Sequence, residues 1–205
     1  MFSATTRVLL SLTLAACAVA SFFFRKRQNA KGTRGGKISN PKLLWLFFAI
    51  WFWFCECSVL AFEPSLPSNF RIIVGVHALS MWLRGAAEMV MLHGTKSWRP
   101  PYGIAHDLFC IVTVLALAAW LGVSETGSWG AWAWALISAL IFSLVVEVLY
   151  AWLFFDAVKG KTTGDDGIWF ASEDEERFRR INRITAACNA PQVVFQMALL
   201  VAGFS

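Results

Sequence analysis

The sequence predicts an all-α fold: a polytopic integral membrane protein built as a bundle of about six transmembrane helices, with one interfacial amphipathic helix on the cytoplasmic side. Three observations predict it. The 205 residues are 58% hydrophobic and only 15% charged, where a soluble domain carries about 25% charged residues. Several apolar runs reach about 20 residues, enough to cross about 30 Å of hydrocarbon. The Lys and Arg residues concentrate in three connecting segments instead of spreading along the chain. Because the runs are continuously apolar and do not alternate, a β-barrel is excluded. The net charge of +5 reads as a topology signal, not as a nucleic-acid surface. The whole chain, 1–205, is expected to be one domain.

The first span is residues 4–24. It contains Leu14-Ala15-Ala16-Cys17, which looks like the lipobox cleaved in bacterial lipoproteins. The dense basic stretch follows this run instead of preceding it, so a retained first span is expected. Residues 25–42 hold seven basic residues and no acidic one, a composition suited to anionic lipid headgroups. The second span, 43–62, has Glu56 inside it, and the prolines at 64 and 67 prevent its continuation. The third, 70–93, carries His77, Arg84 and Glu88. A turn containing Pro100 and Pro101 leads to the fourth span, 105–123, which opens on His106 and Asp107. The fifth, 131–155, contains Glu147.

Ser172 to Glu175 has the form of a capping box. Glu173, Glu175 and Glu176 each precede an arginine by four residues, the favourable order for helical ion pairs. Residues 172–183 therefore read as the interfacial helix, feeding the sixth span at 184–203. Loops after spans one, three and five hold seven, two and six Lys/Arg, fifteen in all, against Arg7 and Arg71 on the other side. That asymmetry puts those loops in the cytoplasm and both termini on the non-cytoplasmic side. Trp120, Trp129 and Trp132 would mark the outer interface, and Trp45 and Trp152 the inner one.

The ionisable residues inside the spans carry the functional argument, since such residues face a bundle interior or a polar cavity. Positions 77, 81, 84 and 88 share one face of the third helix. With a rise of 1.5 Å per residue, Arg84 and Glu147 both lie about 12–13 Å from the inner membrane edge. Asn189 and Gln192 come to similar depth, beside Pro191, which removes one backbone donor. Arg84, Glu88, Glu147, Asn189 and Gln192 are the candidate ligand-binding set. Glu56, His77 and Gln196 form a second polar layer nearer the outer side, with Glu56 facing His77. Glu147, Glu88 and His77 are the candidate catalytic groups. The guanidinium of Arg84 would suit a carboxylate or phosphate.

Other chemistries find less support. His93, His106 and Asp107 gather near the inner edge, but no two histidines are three or four apart, and a solvated rim is expected before a metal site. The five cysteines, Cys17, Cys55, Cys57, Cys110 and Cys188, all fall in apolar runs without C-x-x-C spacing and read as small buried thiols. None of the spans has a lysine for a retinal Schiff base, and Walker, nucleophile-elbow and H-E-x-x-H motifs are absent. No cofactor is specified. The leading reading is a polar intramembrane pocket, open to the cytoplasmic leaflet, that binds a small amphipathic or lipid-like ligand, with or without acting on it. Two alternatives stand beside it: a small secondary transporter or proton-coupled carrier, and an accessory subunit of a larger membrane complex or homo-oligomer.

Overall fold

The computed structural model describes residues 2–31, 40–95, 97, 100–122, 130–158 and 176–204. All secondary structure among them is helical. The elements are α1 (Ala4–Lys31), α2, α3, α4 (Pro100–Leu121), α5 (Gly130–Val158) and α6 (Glu176–Phe204). Helix α2 begins as Asn40–Ile50, widens into π-helical turns over Trp51–Glu56 and closes as Cys57–Ala61. Helix α3 runs Ser68–Met89 and ends in a π-helical turn, Val90–Gly94. Among the described residues, four helical stretches are long and apolar enough to cross a membrane: Ala4–Arg27, Leu43–Ala61, Pro101–Leu121 and Ala133–Leu153. Helices α3 and α6 are not among these four and carry polar residues in mid-helix, His77, Arg84 and Glu88 on one and Asn189, Gln192 and Gln196 on the other.

The ends of the elements follow local chemistry. Ser3 caps α1, its hydroxyl accepting the Thr6 backbone N–H at 3.2 Å. Pro100 is the first residue of α4, where its missing N–H would have had no helical partner. The expected start at 105 was therefore one turn late. Gly122, with φ +64°, follows the end of α4, the left-handed position that closes many helices. Residues 176–183, the described part of the expected interfacial helix, continue without a break into α6. The capping box at 172–175 and Trp129 lie outside the described residues. Helix α6 remains helical through Pro191, whose side is exposed.

The helices pack as a ring. Contacts run α2 to α3, α3 to α4, α4 to α5, α5 to α6, and α6 back to α2. Helix α1 stands outside this five-membered ring, against α2. Trp51 of α2 donates its indole N–H to Thr13 of α1 at 3.2 Å. Contacts between chain-distant residues sit at alternating ends. At one end the Phe2 N–H bonds the Gly203 carbonyl at 2.8 Å, Arg71 bonds the Ala61 carbonyl at 3.1 Å, and the Asn69 amide bonds the Leu121 carbonyl. At the other, Arg25 bonds Asn40 at 2.6 Å.

The distribution of polarity is inverted relative to a water-soluble bundle. Leu12, Phe23, Leu83, Val112 and Val194 are exposed, whereas Glu56, His77, Asp107, Glu147, Gln192 and Gln196 are buried. Apolar side chains outward and charged ones inward is the arrangement a hydrocarbon solvent selects.

Candidate functional site

The interior is best built outward from Arg84, on the inward face of α3 with His77 and Met81. Its Nε donates to Glu88 one turn on, at 3.1 Å. Its Nη1 donates to Asp107 of α4. The side chain of Asp107 is 0% exposed, that of Arg84 13% and that of Glu88 25%, so the cluster grades from an accessible edge to a sealed base. Gly103, one turn before Asp107, makes this approach feasible: a Cβ there would lie 3.0 Å from Arg84 Nη2. Glu147 of α5 is buried and lies within electrostatic reach of Asp107, Arg84 and Glu88. The depth matching of Arg84 with Glu147 thus brings their charges near one another, but the direct partners of the guanidinium are Glu88 and Asp107.

His106 and Asp107 do not form a solvated rim. Beginning α4 at Pro100 carries both residues into the helix body. His106 Nε2 faces the Ser80 hydroxyl at 3.0 Å and the Ser80 carbonyl at 3.2 Å. Its Nδ1 lies 3.5 Å from Asp107 Oδ1, and Cys110 approaches the ring at 3.7 Å. Among the described residues no three His, Cys, Asp or Glu side chains are grouped to hold a metal ion. The side chain of His93 is outside the described residues.

The outer layer is assembled differently from the expectation. Glu56, in the π-helical stretch of α2, is buried with Trp51, Phe52 and Trp53; such widened turns recur at functional positions. His77 is buried on α3, yet neither of its ring nitrogens has a hydrogen-bond partner among the described residues, and neither does Glu56 Oε2. No Glu56–His77 hydrogen bond forms. His77 is instead within electrostatic reach of His106, because the earlier start of α4 brings His106 toward it. Gln196 is completely buried with both amide atoms unpartnered.

No family model, curated protein or solved structure matches the chain. The arrangement itself is therefore the basis for a functional reading. Among the described residues, ten buried side-chain nitrogen and oxygen atoms lack a hydrogen-bond partner. They belong to Trp53 and Glu56 of α2, His77 of α3, Asp107 of α4, Glu147 of α5, and Asn189, Gln192 and Gln196 of α6. Every helix of the ring contributes, and α1 contributes none. Asn189, Gln192 and Gln196 recur at three and four residues and so share one face of α6.

Two other features escaped the sequence pattern. Glu63, in the turn after α2, is fully buried and accepts the Ser3 hydroxyl at 3.0 Å, the Ser3 N–H at 3.1 Å and the Ser65 N–H at 2.9 Å. Burial alone would raise its pKa, but the hydroxyls of Thr6 and Ser65 and the N–H groups of Ser65 and Ser3 outweigh that and lower it to about 2. Outside the ring, a groove of about 420 Å³ runs between α1, α2 and α6. It is lined chiefly by Leu10, Leu14, Trp51, Leu200 and Phe204, an apolar surface separate from the charged interior.

Proposed function

We propose that the chain is a six-span membrane protein that binds a small amphipathic molecule in the polar interior of the ring α2–α6, entered from the cytoplasmic leaflet. The observation that carries this reading is that each of the five ring helices holds a buried polar atom without a partner among the described residues. A buried polar atom without a partner costs about 1–3 kcal/mol. A lock for helix register needs one satisfied pair, and Arg84 with Asp107 already supplies it. The further polar groups on α5 and α6 add cost without adding register, unless a bound molecule meets them. The graded exposure from Glu88 to Asp107 supports entry from the Glu88 edge, which the positive-inside rule assigns to the cytoplasm.

The test is substitution with the fold checked separately. Glu147→Gln and Asn189→Ala should each remove a molecule that co-purifies with the natural protein, detected by mass spectrometry of an organic extract, while circular dichroism is unchanged. Retention of that molecule by both well-folded variants would leave the polar interior as a structural device. Sidedness is tested by labelling cysteines placed at Gly35 and Gly164 in a thiol-free background. Both should label from the cytoplasmic face, and labelling from opposite faces would break the six-span arrangement.

A further inference from the structure

We propose that the molecule held in this interior carries an organic ammonium head, so that the site selects cations and rejects anions. The proposal rests on the reading of the interior as a ligand site and adds the class of ligand. It begins from a charge inventory of the facing helices. Helix α2 brings Glu56, α3 brings His77, Arg84 and Glu88, α4 brings His106 and Asp107, and α5 brings Glu147. The residues that α6 buries there, Asn189, Gln192 and Gln196, are neutral amides. Around the Arg84 guanidinium stand the carboxylates of Glu88, Asp107 and Glu147.

Arg84 is the obvious anchor for an anion, and the structure removes it from that role. Two of its nitrogens are already engaged by Glu88 and Asp107. A carboxylate or phosphate beside it would also face the carboxyl groups of Asp107 and Glu147, in a setting where burial magnifies repulsion. Beside Arg84, the carboxylate oxygens Asp107 Oδ2 and Glu147 Oε2 lack a partner, the first side chain fully and the second more than nine-tenths buried, and the Asn189 amide nitrogen of α6 is unpartnered too. Gln192 Oε1 is a further unpartnered acceptor on the adjoining helix. A primary ammonium has three N–H donors and no acceptor, and its charge offsets the surplus carboxylate. An apolar tail is compatible with a protein whose outward surface is hydrocarbon-like.

The experiment compares two amphiphiles with the same chain and opposite heads, decylammonium and decanoate. Each is titrated at neutral pH into the full chain in phosphatidylcholine nanodiscs, with empty nanodiscs subtracted. Decylammonium should bind saturably and raise the melting temperature, and decanoate should do neither. Glu147→Gln, folded as judged by circular dichroism, should weaken decylammonium at least tenfold. Equal binding of the two amphiphiles, or decylammonium binding unchanged by Glu147→Gln, overturns the proposal. Saturable decanoate binding that depends on Asn189 would keep the ligand site and refute the ammonium head. Saturation by neither amphiphile also refutes the ammonium head: the carboxylates are then neutralised by protons. Co-purification then decides the ligand site independently.

Discussion

Arg84 on α3 and Asp107 on α4 are joined by a hydrogen-bonded ion pair in which the carboxylate is wholly sealed from the surface. Removing one member strands the other in a medium that solvates charge poorly. Arg84→Ala and Asp107→Ala should each destabilise the bundle by about 3–5 kcal/mol. The paired replacement Arg84→Met with Asp107→Leu should cost clearly less than the sum of the single changes. Unfolding followed by circular dichroism in mixed micelles measures the coupling, and strict additivity would deny that the two residues act as a pair.

Gly103 sets the depth of that pair. A methyl group at this position would meet Arg84 Nη2, and the guanidinium has little freedom to retreat because Glu88 and Asp107 hold it. Gly103→Ala should cost about 1–3 kcal/mol, the usual range for overpacking. In an Arg84→Met, Asp107→Leu background the same change should be nearly silent. An equal cost in both backgrounds would attribute the effect to α4 alone.

Glu63 makes the attachment of α1 sensitive to acid. Its pKa is lowered from an ordinary 4.5 to about 2, so the folded form binds this proton less readily than the unfolded chain. The resulting stability is fully present above about pH 4.5 and is lost as pH falls toward 2. Hydrogen exchange of the Ser3 to Arg7 amides should accelerate over that window relative to amides in α3. Glu63→Gln should flatten the difference and cost about 1.5–3 kcal/mol at neutral pH, the range for hydrogen bonds to a charged acceptor.

The thiols of Cys17 on α1 and Cys55 on α2 lie 3.7 Å apart, while a disulfide requires about 2.05 Å. A small approach of the helices would allow oxidation. Treatment with copper phenanthroline and oxygen should remove two hydrogens from the pair and give an intramolecular cross-link, seen as altered gel mobility. Cys17→Ser should abolish it. Cross-linking that survives this change would place the reactive pair elsewhere.

The helical fold was legible because hydrocarbon burial writes itself into composition: the run at 131–155 lies within α5, and that at 43–62 overruns α2 by one residue. The inward face of α3 was legible from the spacing of His77, Met81, Arg84 and Glu88. Asp107 was not, because Pro100 and Pro101 read as a turn when they in fact open a helix. That shift moved His106 and Asp107 from the expected rim into the interior and changed the partner of Arg84. The proposed facing of Glu56 and His77 failed for a related reason. Depth along separate helices fixes height, but not rotation, and the π-helical stretch at Trp51–Glu56 turns α2 by an amount periodicity cannot supply. Glu63 carried no signal at all, since its partners Ser3 and Thr6 are distant in sequence and joined only by the packing of α1.

The contact between Phe2 and Gly203 has a consequence for biosynthesis. During translation α1 and α2 emerge long before α6 exists, so the main-chain bond from residue 2 to residue 203 and the seam of α6 with α2 must wait for α6. Until then the faces of α3, α4 and α5 that carry Glu88, Asp107 and Glu147 lack their closing wall. Pairings so far apart in sequence form slowly because a long loop must first be closed. Helix α6 thus closes a ring whose other walls are made before it, and a ribosome stalled before α6 would leave a nascent chain whose half-ring is open to quality control.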